Sequence, residues 1–268
     1  GVSVQPTRLI SANDAANAVV QGELIGNATV PLNVLLNIEE RQPGEFNIFM
    51  VKTTSRHQWS DYLLVAHNST IQSLSQLANK KVGAYPGSAQ QAILRLILQE
   101  FVPPDQITTV ELPPSTQLQA LSSGQVDALL TYDELAIRAL DQNIAKVLEK
   151  NPIGKHVVDP CYGFPYVLSS DFVSQHPTDA RAVREAMYRA VDFIRMNESQ
   201  SREIMSQWVG TEPHIASKVR LWDQTKAEDI DINAMQKLAD IFYRTGITSK
   251  QVNIEPLIWT PTDTQHDG

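Results

Sequence analysis

Short apolar, β-branched runs alternate with amphipathic stretches over the first part of the chain, which is the pattern of an α/β protein. It predicts strands over Glu45–Lys52, Tyr62–Ala66, Lys81–Tyr85, Ile107–Glu111, Val126–Thr131 and Tyr166–Ser169. Between them the apolar period shifts to that of a helix, as in Ser88–Phe101, where Ile93, Leu94, Ile97, Leu98 and Phe101 share one face. After about residue 170 strand-like runs nearly vanish and helices follow. In Thr178–Met196, Val183, Met187, Ala190, Val191 and Ile194 form an apolar stripe, with Arg181, Arg184, Glu185 and Arg189 facing elsewhere.

A short repeat adds to this picture. Ala18-Val19-Val20-Gln21-Gly22-Glu23-Leu24 matches Ala120-Leu121-Ser122-Ser123-Gly124-Gln125-Val126 at an offset of 124 − 22 = 102 residues. In each, a helix ends, a glycine suits the left-handed position that closes it, and a strand begins. The same offset places Thr29 on Thr131, at a strand's carboxyl end, so two similar α/β lobes are expected. It also places the counterpart of the strand–turn–helix unit at Lys80–Phe101 before Gly1. The first lobe is therefore expected to lack its opening strand and helix, either because the chain is a fragment or because that lobe is built differently.

Composition narrows the function classes. Of 268 residues, 42% are hydrophobic and 19% charged, as in a folded globular chain, and 22 Lys and Arg against 30 Asp and Glu leave a net charge of −8. Nucleic-acid binding through broad positive charge is excluded on that balance. No apolar run reaches the roughly 18 residues that cross a bilayer. The single Cys161 rules out an internal disulfide or a cysteine-cluster metal site. The six histidines are scattered with no metal-ligand spacing, and no nucleophile elbow or Gly-rich dinucleotide turn is present, so no cofactor, metal or catalytic residue is expected.

Two strand ends could bind a ligand, because the crevice of an open α/β sheet lies beyond the carboxyl ends of its strands. At the first, Tyr85-Pro86-Gly87 turns into a helix with Ser88 as expected N-cap, and the amides around Ser88, Ala89 and Gln90 could hold an anion such as a carboxylate or sulfonate. Ser88 could equally do no more than cap its helix. At the second, Thr131, Tyr132 and Asp133 end a buried strand, as Thr29 and Pro31 do in the other lobe. Asp133 could meet an amine or hydroxyl of the ligand, or cap the next helix. Trp59 could stack over a small solute or serve packing. Cys161 and Tyr162 lie in what reads as a chain crossover, and Cys161 reads as a small buried hydrophobe rather than a nucleophile.

Three segments resemble the type II substrate-binding proteins of ABC transporters, in the branch that takes nitrate, alkanesulfonates, taurine and thiamine-pyrimidine precursors. They are Leu74-Ser75-Gln76-Leu77-Ala78-Asn79-Lys80-Lys81-Val82-Gly83-Ala84-Tyr85-Pro86-Gly87-Ser88, then Ala120–Ala128, and Phe172-Val173-Ser174-Gln175-His176-Pro177. The resemblance spans Val4 to about Gly246. It implies a two-lobed periplasmic-binding-protein-like fold, with lobe I formed by residues 1–65 and 162–268 and lobe II by 66–161. It implies ligand contacts at Ser88–Gln90, at Tyr132 and Asp133 and near the crossings, hinge closure on a small anionic solute, and delivery to a membrane permease. A monomer in the periplasm, or lipid-anchored outside the cell, follows. One departure from the family pattern is that Ile25 stands where Asp127 stands in the second copy. The resemblance also leaves two other uses of this scaffold, an enzyme of thiamine-pyrimidine or menaquinone-precursor synthesis and a ligand-sensing domain.

Overall fold

The computed structural model describes residues 2–7, 9 and 12–261. In chain order these form α1 (Ala12–Val20), β1 (Gly26–Asn27), α2 (Leu32–Glu39), β2 (Phe46–Thr54), β3 (Asp61–Ala66), β4 (Lys81–Ala84) and α3 (Ser88–Leu98). Then come β5 (Thr108–Glu111), α4 (Pro114–Ser122), β6 (Ala128–Tyr132), α5 (Asp133–Asp141), β7 (Ala145–Lys150) and α6 (Pro152–His156). The rest holds β8 (Cys161–Ser169), α7 (Ser170–Gln175), α8 (Pro177–Met196), α9 (Glu198–Val209), α10 (Pro213–Ala216), β9 (Asp223–Lys226) and α11 (Ile232–Arg244). The chain is an α/β protein with two mixed sheets.

It divides into two compact units. Unit 1 comprises Gly1–Thr53, Tyr162–Met196 and Asp223–Gly268, and unit 2 comprises Thr54–Cys161 and Asn197–Trp222. Residues 54–65 and 197–222, expected in lobe I, thus pack with the second unit. The reason is structural: β3 lies between β6 and β7 in the middle of a sheet, and the segment carrying α9 and α10 is tied to α5, with Lys218 and His214 pairing with Asp141.

In unit 2 the strand order is β5-β4-β6-β3-β7; β4 runs parallel to β5 and β6, and β3 antiparallel to β6 and β7. Tyr62, Leu64 and Leu129 on one face meet Ala120 and Leu121 of α4 and Ala136 and Ala139 of α5 in a buried cluster. Against β4 packs α3, with Ile93, Leu94, Ile97 and Leu98 buried as its period requires, while Phe101 falls beyond the helix and stays exposed. In unit 1 the order is β1-β8-β2-β9. There Phe49, Met50, Tyr166 and Leu168 pack on Ala180 and Val191 of α8, with Val183 and Met187 at the rim. The expected α8 stripe is narrower than its pattern, since Ala190 is exposed and Arg184 turns in over the Tyr188 ring to pair with Glu228.

The repeat is present in the backbone. Gly22 and Gly124 both adopt the left-handed conformation, at φ 74° and 75°. The amide of Leu24 donates to Ala18 O at 3.1 Å, and that of Val126 donates to Ala120 O at 3.2 Å, 102 residues on. The departure at Ile25 has a local account. Asp127 accepts from the Lys81 amide at 2.9 Å and pins the start of β4 to β6. Among the described residues β1 pairs only with β8, so Ile25 has no such neighbour to hold.

Candidate functional site

The first predicted strand end is assembled as expected, with one correction. Gly87, at φ 118°, is the residue that precedes α3, and Ser88 is the first residue inside it rather than its N-cap. The first helical bond is from Gln91 N to Gly87 O, so the amides of Ser88, Ala89 and Gln90 have no partner within the helix. Ala89 is buried and contributes its backbone alone. The Tyr132 hydroxyl donates to Gln90 Oε1 at 2.9 Å, and its ring meets Tyr85 at 5.3 Å and Trp222 at 5.8 Å between centroids. Burial pushes both the Tyr85 and Tyr132 hydroxyls upward, so they act as neutral donors. Thr131 is fully buried and donates to Gln117 Oε1 at 2.8 Å, a bond internal to the sheet–α4 layer.

Beside this lies a second set of polar groups. The register pairs Asp61 with Tyr132, and the Asp133 amide donates to Ser60 O at 2.8 Å, so Ser60 stands opposite Asp133 across the antiparallel pair. Opposed residues project to the same side of a sheet, so the Ser60 and Asp133 side chains share one face, with Tyr62 next along it. Asp133 begins α5 but takes no amide of that helix with full hydrogen-bond geometry; the donors that face its carboxylate are the Tyr62 hydroxyl and the Arg220 amide. The residue is 2% exposed. Burial raises its carboxyl to about 7; the Tyr62 hydroxyl and the Arg220 guanidinium beside it pull down, and the Asp61 charge pushes up. Asp61 is raised to about 6, again by burial, against the Ile153 amide that donates to its Oδ2 at 2.8 Å. Arg220 lies 3.8 Å over the Trp59 ring, so Trp59 stacks on the chain's own cation.

Of the ten residues read from the sequence, seven fall in unit 2: Trp59, Tyr85, Ser88, Ala89, Gln90, Tyr132 and Asp133. The other three lie in unit 1. Thr29 adopts a left-handed conformation, φ 71°, two residues beyond the short β1, and Pro31 is the N-cap of α2. The buried Tyr162 accepts the Asp231 amide through its hydroxyl at 3.3 Å. Ser60, Asp61, Tyr62, Arg220 and Trp222 were not read from the sequence. An acid at the start of an apolar strand was a usable signal for Asp61, whereas Arg220 arrives only through the tertiary placement of segment 197–222. Among the described residues no group of three or more His, Cys, Asp and Glu could hold a metal ion, and no helix is long and apolar enough to cross a membrane.

A mixed sheet with unpartnered polar groups gathered at its strand ends is the build of a protein that binds small molecules. The sequence places it more narrowly: residues 10–210 match the model of the NMT1-like family, and the chain belongs to that family. Over 208 residues it is 26% identical to a protein of Escherichia coli (strain K12) named for binding aliphatic sulfonates, covering 76% of this chain and 64% of that one. A binding protein of Brucella abortus (strain 2308) is 23% identical over 138 residues, 51% of this chain and 43% of its own. The chain thus spans less than two thirds of these relatives.

Solved structures show the fold. The periplasmic aliphatic sulphonate binding protein SsuA of Escherichia coli superimposes with a TM-score of 0.75 at 20% identity, over 94% of this chain and 80% of that one. The alkanesulfonate-binding SsuA of Xanthomonas axonopodis pv. citri, bound to MOPS, gives 0.70 at 18%, over 93% and 85%. The desulfurization enzyme DszB, in complex with biphenyl-2-sulfinic acid, gives 0.69 at 12%, over 92% and 86%.

Proposed function

We propose that this chain is the solute-binding component of an ABC importer, that it works as a monomer outside the cytoplasmic membrane, and that it hands a small organic anion of the alkanesulfonate class to a membrane permease. The observation that carries this reading is the 26% identity over 208 residues to a protein named for aliphatic sulfonate binding. The geometry of unit 2 supports it. Three amides at the start of α3 that have no partner within the helix stand at the carboxyl end of β4, close in sequence to Tyr85 and joined to Tyr132 through the Gln90 side chain. Helix-terminal amides stabilise an anion without a basic side chain, so a net charge of −8 is no obstacle.

The fold match to DszB raises the enzyme reading. Cys161, the only cysteine, argues against a thiol nucleophile here. It is 8% exposed, and burial pushes its thiol up to about 12, where little thiolate exists at neutral pH.

Isothermal titration with ethanesulfonate, butanesulfonate, sulfate and nitrate tests the proposal. A one-to-one complex with a sulfonate is expected, and ligand at a hundred times its Kd raises stability by about 2.7 kcal/mol in a parallel melt. Silence with every anion overturns it.

A further inference from the structure

The aromatic side chains at the strand ends of unit 2 bear on what carries the anion. Tyr85 just past β4, Tyr132 at the end of β6 and Trp222, the residue before β9, come from three separate stretches of the chain and meet there. Tyr132 lies in the middle, its ring 5.3 Å from that of Tyr85 at 61° and 5.8 Å from that of Trp222 at 39°, measured between centroids. All three are only partly buried, so each leaves some of its surface open. The Tyr132 hydroxyl is taken by Gln90 Oε1, so this residue offers a solute its ring rather than its oxygen. Asp61, opposite Tyr132 in the register, is fully buried and out of a solute's reach.

Resting on the sulfonate reading above, we infer that Tyr85, Tyr132 and Trp222 form a wall for an aromatic ring, so that the preferred solute is an arylsulfonate rather than a short alkanesulfonate. A flat ring gains from edge or offset contact with aromatic neighbours in addition to the apolar area it buries, and a two-carbon chain covers little of such a wall. Gln90 links the wall to the anion site. Its amide is one of the three at the start of α3 without a partner in the helix, and its side chain holds the Tyr132 hydroxyl. An acid group on those amides therefore brings whatever carries it beside the rings.

The test titrates benzenesulfonate, cyclohexanesulfonate and ethanesulfonate calorimetrically into the full chain and into Trp222→Leu, with Tyr85→Leu as the second variant should the first not melt cooperatively. Benzenesulfonate is expected to bind about tenfold tighter than ethanesulfonate and about threefold tighter than cyclohexanesulfonate, which has the same number of carbons but no aromatic ring. In the folded variant the preference for benzenesulfonate over cyclohexanesulfonate is expected to shrink to within about 1.5-fold, because leucine keeps apolar bulk and loses the ring contact. Equal binding of the two six-carbon compounds by the unmodified protein overturns the aromatic wall and leaves the sulfonate reading standing, as does a preference that survives in the folded variant. Failure of all three compounds to bind overturns the sulfonate reading and the wall with it.

Discussion

Replacing Asp133 by Asn separates a carboxylate kept for recognition from one kept for stability. In the folded chain this carboxyl is raised from 3.8 to about 7, chiefly by burial, with Tyr62 and Arg220 lowering it and Asp61 raising it. The sign follows from linkage. The folded value lies above the unfolded one, so the folded state holds its proton more tightly, and stability falls as pH rises from about 4 to about 7. A gap of about three pH units at 1.36 kcal/mol each comes to roughly 4 kcal/mol, and about 3 kcal/mol of it falls between pH 4.5 and 8. Asn has nearly the same shape and does not ionise, so the variant lacks this loss. The quantity to measure is the difference in unfolding free energy between variant and parent, from urea melts across that range. It is expected to move in the variant's favour by about 3 kcal/mol on going from pH 4.5 to 8, whatever its value at the acid end. Asp61, raised to about 6, titrates in both proteins and largely cancels. A difference that stays flat within about 0.5 kcal/mol would show that Asp133 ionises in the folded chain as it does in water, and would refute the reasoning from its burial.

Four further substitutions test the turns and the packing of the two units. Gly22→Ala and Gly124→Ala place a Cβ in open space but force a left-handed φ on it, so each should cost about 1 kcal/mol in denaturant melts, and unequal costs would break the structural equivalence of the two turns. Gly83→Ala sets a Cβ 2.7 Å from Leu112 Cδ1 and 3.2 Å from Leu129 Cδ1, an overpacking expected to cost about 1–3 kcal/mol, and a neutral result would mean that the layer beneath α4 yields more easily than its burial suggests. Thr131→Val leaves the buried Gln117 Oε1 without its donor and should destabilise by about 1–3 kcal/mol, with Gln117→Leu restoring part of the loss in the double variant.

The α/β class and most of the central strands were legible because their residues are buried and the apolar period records burial directly. What escaped lies at edges and in long-range placement. The strand β7, Ala145–Lys150, carries two lysines and a glutamate, and β9, Asp223–Lys226, is polar throughout. Both end their sheets in the strand order, and charged residues are what keeps an edge strand from pairing with other chains, so the feature that protects these strands also hides their pattern. The strand ends at Ser88–Gln90 and at Tyr132 and Asp133 were read from the residues themselves, and the family resemblance pointed to the same places. It did not supply Ser60 or Arg220, because a sequence does not show that residue 60 lies opposite 133 or that residue 220 returns over Trp59.

Three buried carboxylates, all raised by burial, show why Asp133 stands apart. Glu39 accepts the amides of Gly44, Glu45 and Phe46 at 2.6, 3.1 and 3.1 Å, which satisfies both oxygens and closes the turn between α2 and β2. Asp61 has one oxygen on the Ile153 amide and the other unpartnered. Asp133 sits in the first turn of α5, where an acid usually finds amides, but takes none of that helix, and the Tyr62 hydroxyl and Arg220 are what lower it. Desolvation acts on all three, so the donors each one meets are what distinguishes them. A carboxylate chosen for stability recruits backbone donors as Glu39 does. Asp133 draws instead on the Tyr62 hydroxyl and on Arg220, so its environment depends on where residues 197–222 pack in unit 2.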